Sequence, residues 1–274
     1  MTDVTPPVGT RVPPEDRHHS FGGKALMRRR ALVVTFALFA GLVLPVVNAT
    51  AAQAVTRNPV ILVAGLSSPA FALDPLQARL RGDGFDVTEF ALPGLGFGDI
   101  AVSAAALKTK VAQVLAAKGA TKVDIVAHSE GGLVSRYWMK FLGGSGQVGT
   151  YVSLGTPQHG TAVANILAFI GGGNCLTIVA CQQMTRGSAF LTNLNAGDET
   201  PGSARYHAFY TVEDELVQPY ATAALNGGST NYSVQNFCWA RVVGHLGLIL
   251  DGTVYTMVRS ALRQQTITAN CWAI

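Results

Sequence analysis

Charge is scarce in this chain: 13% of its 274 residues are Asp, Glu, Lys or Arg. Residues 1–54 hold six of the 20 basic residues and three of the 16 acidic ones, so the formal charge of +4 falls to +1 for the remainder. No basic run or patch is left there, which argues against nucleic acid as a partner. Cysteine is also sparse, at four. No Cys-x-x-Cys spacing occurs and no histidine stands beside a cysteine pair, so a zinc site is not expected. Phosphate-loop, metal-binding and dinucleotide motifs are missing, and no cofactor is expected. Internal repeats and low-complexity tracts are missing too, which leaves an ordinary globular chain.

The start of the chain has its own pattern. Met27-Arg28-Arg29-Arg30 is a basic segment, Ala31 to Val47 is apolar, and Ala52-Gln53-Ala54 is a small-x-small step. Together they read as a secretory signal over about 27–54, within a leader of residues 1–54. Cleavage would leave no membrane span and a secreted, monomeric domain over 55–274, long enough for one sizeable core. All four cysteines fall in that exported part, where an even count implies two disulfides and allows three pairings. Cys175–Cys181 closes a short loop and Cys238–Cys271 ties back the last residues, so this pairing is favoured.

Strand and helix signals alternate. Pro59–Ala64, Phe85–Phe90, Lys122–Ala127, Gly149–Leu154, Arg205–Thr211 and Val234–Val243 read as strands. Helices are expected from an Asp74 N-cap to Gly82, over Ala101–Lys118, after Ser129, and over Leu246–Arg263. Such alternation predicts an α/β fold with a mostly parallel sheet covered by helices on both faces. Residues 155–204 stand out as a long, Gly- and Thr-rich segment poor in strands.

Chemistry enters at Ala127-His128-Ser129-Glu130-Gly131-Gly132, between a strand and a helix. A serine at the tip of such a turn, flanked by small residues two places away, forms a nucleophile elbow; Ala127 takes the place of the usual glycine. A serine hydroxyl needs a base and an acid to orient that base, in the chain order Ser, Asp or Glu, His. Of the histidines after Ser129, only Glu130 precedes His159, and His207 lies within a strand. His245 fits, because it follows a strand and a glycine and precedes a helix. The acid falls within Glu213-Asp214-Glu215, and spacing does not choose among the three. Two backbone amides must bind an oxyanion. The positions for them are Glu130, after the nucleophile, and Leu66, in the Gly65-Leu66-Ser67-Ser68 loop after the first strand.

Thr211-Val212-Glu213-Asp214-Glu215-Leu216-Val217-Gln218-Pro219, Leu154-Gly155-Thr156-Pro157-Gln158-His159-Gly160-Thr161 and Val243-Gly244-His245-Leu246-Gly247-Leu248 resemble motifs of a known family. It is that of the small secreted lipases, which includes the bacterial class 2 lipases and lipase B of the yeast Candida antarctica. The resemblance runs from about Pro59 to Cys271 and implies the α/β-hydrolase fold and hydrolysis of carboxylic esters, acylglycerols above all. It also implies Asp214 as the acid, a structural or site-lining His159, and support for Cys238–Cys271. His128 stands where the yeast enzyme has tryptophan, which makes it a candidate for the substrate pocket with Ser67, Phe169, Leu216 and Val217. The expected partner is an ester or lipid, met at a lipid–water interface. A short-chain esterase or polyester hydrolase is the alternative activity, and a non-catalytic secreted binding protein on the same fold is the alternative class.

Overall fold

Val60-Ile61-Leu62-Val63 is a run of branched aliphatics with no polar alternation, the pattern of a strand covered on both faces. In a computed structural model describing residues 57–171 and 175–274, it forms the buried strand β1 (Val60–Val63). The leader expected over 1–54 lies outside the described residues, as do Gly172, Gly173 and the Phe169 side chain.

After β1 the chain runs through α1 (Asp74–Gly82), β2 (Val87–Phe90), α2 (Ile100–Lys118), β3 (Val123–His128), α3 (Glu130–Phe141) and β4 (Val148–Leu154). Three short helices follow, α4 (Val163–Phe169), α5 (Val179–Met184) and α6 (Ala189–Asn195), then β5 (Arg205–Tyr210), β6 (Ser229–Ser233), α7 (Gly247–Leu250) and α8 (Gly252–Leu262). The strands form one sheet in the order β2-β1-β3-β4-β5-β6, with every pair parallel. Alternate side chains feed two cores. Ile61, Val63, Ile125, Ala127 and Tyr151 pack with α2 and α3, while Val60, Leu62, Val126, Val152, Leu154 and Phe209 pack with α1 and α8. A parallel sheet sends every strand's carboxyl end to the same edge, and ligands bind at that edge in open α/β folds.

The structure departs from the sequence expectation in four places. Asp74 is the first residue of α1 and not its cap, because a 3₁₀ turn over Ala70–Leu73 leads straight into the helix. The segment 155–204 holds no strand among its described residues, yet it is not an open loop, since it folds into α4, α5 and α6. The sixth strand is the polar Ser229–Ser233, not Val234–Val243. An edge strand needs only backbone pairing to β5, so its sequence carries little apolar signal; Val234 instead opens a 3₁₀ turn under a Ser233–Asn236 capping box. The last helix is broken at Asp251, whose extended backbone (ψ 133°) ends α7 while its carboxylate caps α8 at the Thr253 and Val254 amides. Arg241 pairs with the same carboxylate at 2.6 Å.

Candidate active site

Ser129 sits between β3 and α3 with φ 54° and ψ −127°, a conformation that costs an L-residue free energy and must be held by its surroundings. Three groups hold it. The Ser129 amide donates to the Leu154 carbonyl at 2.9 Å. The Ser129 carbonyl accepts from Thr156 Oγ1 at 2.8 Å and from the Gly132 amide at 3.1 Å. Close packing adds to this: a β-carbon on Gly65 would come within 2.8 Å of Ser129 Cβ, and one on Gly131 within 2.4 Å of the Ala64 carbonyl oxygen. Glycine at these two positions lets β1 and α3 meet behind the serine.

His245 reaches the serine from the loop between β6 and α7, with Nε2 at 2.9 Å from Ser129 Oγ. Its Nδ1 lies 2.9 and 3.0 Å from the two carboxylate oxygens of Asp214. A carboxylate only accepts, so Nδ1 carries the proton and Nε2 presents its lone pair to the serine hydroxyl. Asp214 is itself fixed by the amides of Leu216 (2.9 Å) and Val217 (2.7 Å). Ser129, His245 and Asp214 are all buried to within 2% of full coverage.

The acidic triplet that spacing left open is divided by the fold. Glu213 faces solvent, Asp214 turns inward to the imidazole, and Glu215 accepts the His245 backbone amide at 2.8 Å. Its part in holding the histidine loop was not apparent in the sequence, and neither was that of Thr156. Gln218 and Thr161 also support the acid loop: Gln218 Nε2 donates to the Asp214 carbonyl, and Thr161 Oγ1 donates to the Leu216 carbonyl at 2.6 Å.

Leu66 follows β1 at the same edge of the sheet, and among the described residues no hydrogen bond takes up its amide or that of Glu130. Ser67, half-buried at φ 55°, makes the turn and donates its amide to the Leu95 carbonyl at 2.7 Å. The Glu130 side chain is wholly buried, and neither carboxyl oxygen has a partner among the described residues. Burial pushes this carboxyl well above the usual carboxylate range, which favours the neutral acid.

The remaining pocket candidates behave differently. Leu216 and Val217 are buried and serve the acid through their backbones. His128 is buried, 2% exposed, and its Nε2 lies 3.1 Å from the His245 carbonyl oxygen. Desolvation, with a smaller effect of the nearby His245, lowers its pKa to about 3, so it stays neutral. His159 Nε2 is 3.0 Å from Glu199 Oε1, and Asn226 donates to that same oxygen at 2.9 Å. His207 is buried on β5. Cysteines 175 and 181 are bonded, as are 238 and 271. Among the described residues no cluster of His, Cys, Asp or Glu could hold a metal ion.

Known proteins share this arrangement of chain. The family described as lipase (class 2) matches residues 103–245, a span that runs from α2 to His245. A triacylglycerol lipase of Burkholderia plantarii is 29% identical over 268 aligned positions, covering 80% of this chain and 74% of that protein. One of Pseudarthrobacter phenanthrenivorans is 29% identical over 259 positions, covering 77% and 81%. The crystal structure of Aspergillus fumigatus lipase B superposes with a TM-score of 0.66 at 20% identity, covering 78% of this chain and 54% of that one. With the family match spanning more than half of its length, the chain belongs to the class 2 lipases, α/β-hydrolases that cleave carboxylic esters.

Proposed function

We propose that this lipase is a secreted serine hydrolase that acts on acylglycerols through an acyl-enzyme on Ser129. The observation that carries this reading is the relay from Ser129 Oγ to His245 Nε2 at 2.9 Å and from His245 Nδ1 to Asp214 at 2.9 Å. Ser129 Oγ attacks the ester carbonyl carbon while His245 Nε2 takes its proton. The amides of Leu66 and Glu130 receive the oxyanion, and the positive end of α3 adds to their field. The intermediate collapses, the C–O bond breaks, and His245 returns the proton to the departing alcohol. Water then repeats the cycle on the acyl-enzyme and releases the fatty acid. Asp214 holds His245 in the working tautomer and stabilises its imidazolium.

Two features support secretion: both disulfides, which persist in oxidising compartments, and the signal-like segment 27–54. A lipid–water interface as the place of action draws support from exposed apolar side chains on segments that follow strand carboxyl ends. These are Phe71 after β1, Leu95 after β2, Val163 and Val179 after β4, Tyr220 after β5 and Leu246 beside His245. The triacylglycerol lipases it resembles point the same way.

The test combines a fluorophosphonate probe with p-nitrophenyl esters of increasing chain length. The wild type should label at Ser129 and Ser129→Ala should not. Rates that keep rising on long-chain esters above their solubility limit support a lipase. A maximum at short chains with no gain on emulsions makes it an esterase, and no labelling removes the catalytic reading.

A further inference from the structure

A second imidazole, that of His128, lies against the relay. His128 ends β3, one residue before the nucleophile, and its imidazole stacks obliquely on that of His245, with centroids 4.8 Å apart and planes at 45°. Its Nε2 is 3.1 Å from the His245 carbonyl oxygen. A carbonyl accepts and never donates, so Nε2 carries the proton and Nδ1 is bare. Among the described residues Nδ1 has no partner, and Gly65 closes over it: a β-carbon there would lie 3.3 Å away. At the other end of the same residue, the His245 amide donates to Glu215 Oε2 at 2.8 Å. The peptide groups before and after the His245 side chain are thus both tied, the first by Glu215 and the second by His128 together with the Leu248 amide at 3.3 Å.

We propose that His128 is a positioning residue. Its Nε2–H, together with Glu215 at the amide, clamps the backbone of His245 and so fixes where the imidazole stands between Ser129 and Asp214. The inference rests on the triad reading above and adds a specific requirement to it. His245 becomes an imidazolium twice in each cycle, and a second cation 4.8 Å away would oppose that charge. A neutral His128 supplies a donor at this place with no charge of its own, which a lysine or arginine could not do.

Three variants separate a clamp from a filler. Glutamine places an N–H near the reach of Nε2, asparagine stops short of it, and leucine has no donor. On a soluble butyrate ester, His128→Leu and His128→Asn should each lower kcat by ~10²-fold, since misplacement of a reacting group by about 1 Å costs that much. KM should stay within about twofold of wild type, and His128→Gln should recover most of the loss. Glu215→Ala should act in the same direction, and its effect should combine non-additively with that of His128→Asn in a double-mutant cycle. Thermal unfolding and fluorophosphonate titration of active sites normalise each rate to folded enzyme, and His128→Asn serves if His128→Leu does not fold. Equal kcat losses in all three variants would reduce His128 to packing. A loss confined to KM that varies with the size of the alcohol would make it a pocket residue. Either result overturns the clamp while Ser129→Ala stays inactive and unlabelled, whereas an active Ser129→Ala would overturn the triad itself.

Discussion

The carboxyl of Glu130 rests against the α-carbon of Gly96: a β-carbon on that glycine would come within 2.4 Å of Glu130 Oε2. The residue whose amide is proposed to receive the oxyanion therefore buries an acid against the segment that braces the Leu66–Ser67 turn, where Leu95 accepts from Ser67. Burial holds this group protonated above the usual carboxylate range. In the unfolded chain it ionises near its ordinary value, about 4.5, so over the interval above that the folded state binds more protons. Its contribution to stability is greatest below about pH 4.5 and declines as pH rises through the folded pKa. The unfolding temperature of wild type should fall relative to Glu130→Gln as pH is raised from 5 to about 9. Parallel curves would show that the carboxyl does not titrate against folding.

A β-carbon on Gly131 would meet the backbone oxygens of Ala64 and Val63, which cannot rotate away. Gly131→Ala should destabilise by ~1–3 kcal/mol through overpacking and displace the elbow. A kcat loss of ~10²-fold should accompany it, measured after normalising for folded protein. Retention of full activity would mean that β1 and α3 separate without moving Ser129.

The three acidic neighbours should differ sharply. Asp214→Asn keeps the volume but removes the charge and disturbs the tautomer, with an expected kcat loss of ~10⁴-fold. Glu215→Ala should cost far less, as it frees only a backbone amide, and Glu213→Ala should be near neutral on the exposed side. Steady-state rates on a soluble ester rank the three, and any other order would move the acid role.

Cys238–Cys271 spans a sequence separation of 33 and closes over the loop that presents His245. Chain entropy assigns such a closure ~3–4 kcal/mol, against ~2–2.5 kcal/mol for the short Cys175–Cys181 loop. The double variant Cys238→Ala/Cys271→Ala should lower the denaturation midpoint more than the double variant of the other pair, in urea titrations of each.

Phe71 is 70% exposed and Leu246 is 47% exposed, both at the edge that carries the site. If this edge meets lipid, Phe71→Ser and Leu246→Ser should reduce turnover of emulsified triglyceride more than turnover of a soluble butyrate ester. Equal losses on both substrates would assign these residues to the reaction pocket instead.

Much of this was legible in the sequence because it is local. The elbow is a short-range pattern: a β-branched strand, a serine between small residues, and a helix. The order of serine, acid and histidine restricts which loops can meet, and five of the six strands carry enough aliphatic or aromatic sequence to be recognised. The sixth does not, because Ser229–Ser233 is held by backbone pairing at an edge and needs no apolar side chains. Asp251 was equally silent, since a helix break made by one capping aspartate leaves the apolar periodicity on either side intact.

Spacing left the proposed acid open and the family resemblance implied Asp214; its surroundings were decided by tertiary structure alone. Glu213, Asp214 and Glu215 are chemically similar and adjacent, and only the path of their loop sends one carboxylate to the His245 ring, one to its amide and one to water. The same holds for His128. As a residue type beside a nucleophile it suits a substrate pocket or a core. Its proposed role depends on a carbonyl 117 residues further along the chain. Sequence determines which groups are available and how they are strung together. The distances that turn a buried imidazole into a donor, and a buried glutamate into a neutral acid, exist only once the sheet has brought β1, β3 and the histidine loop to one edge.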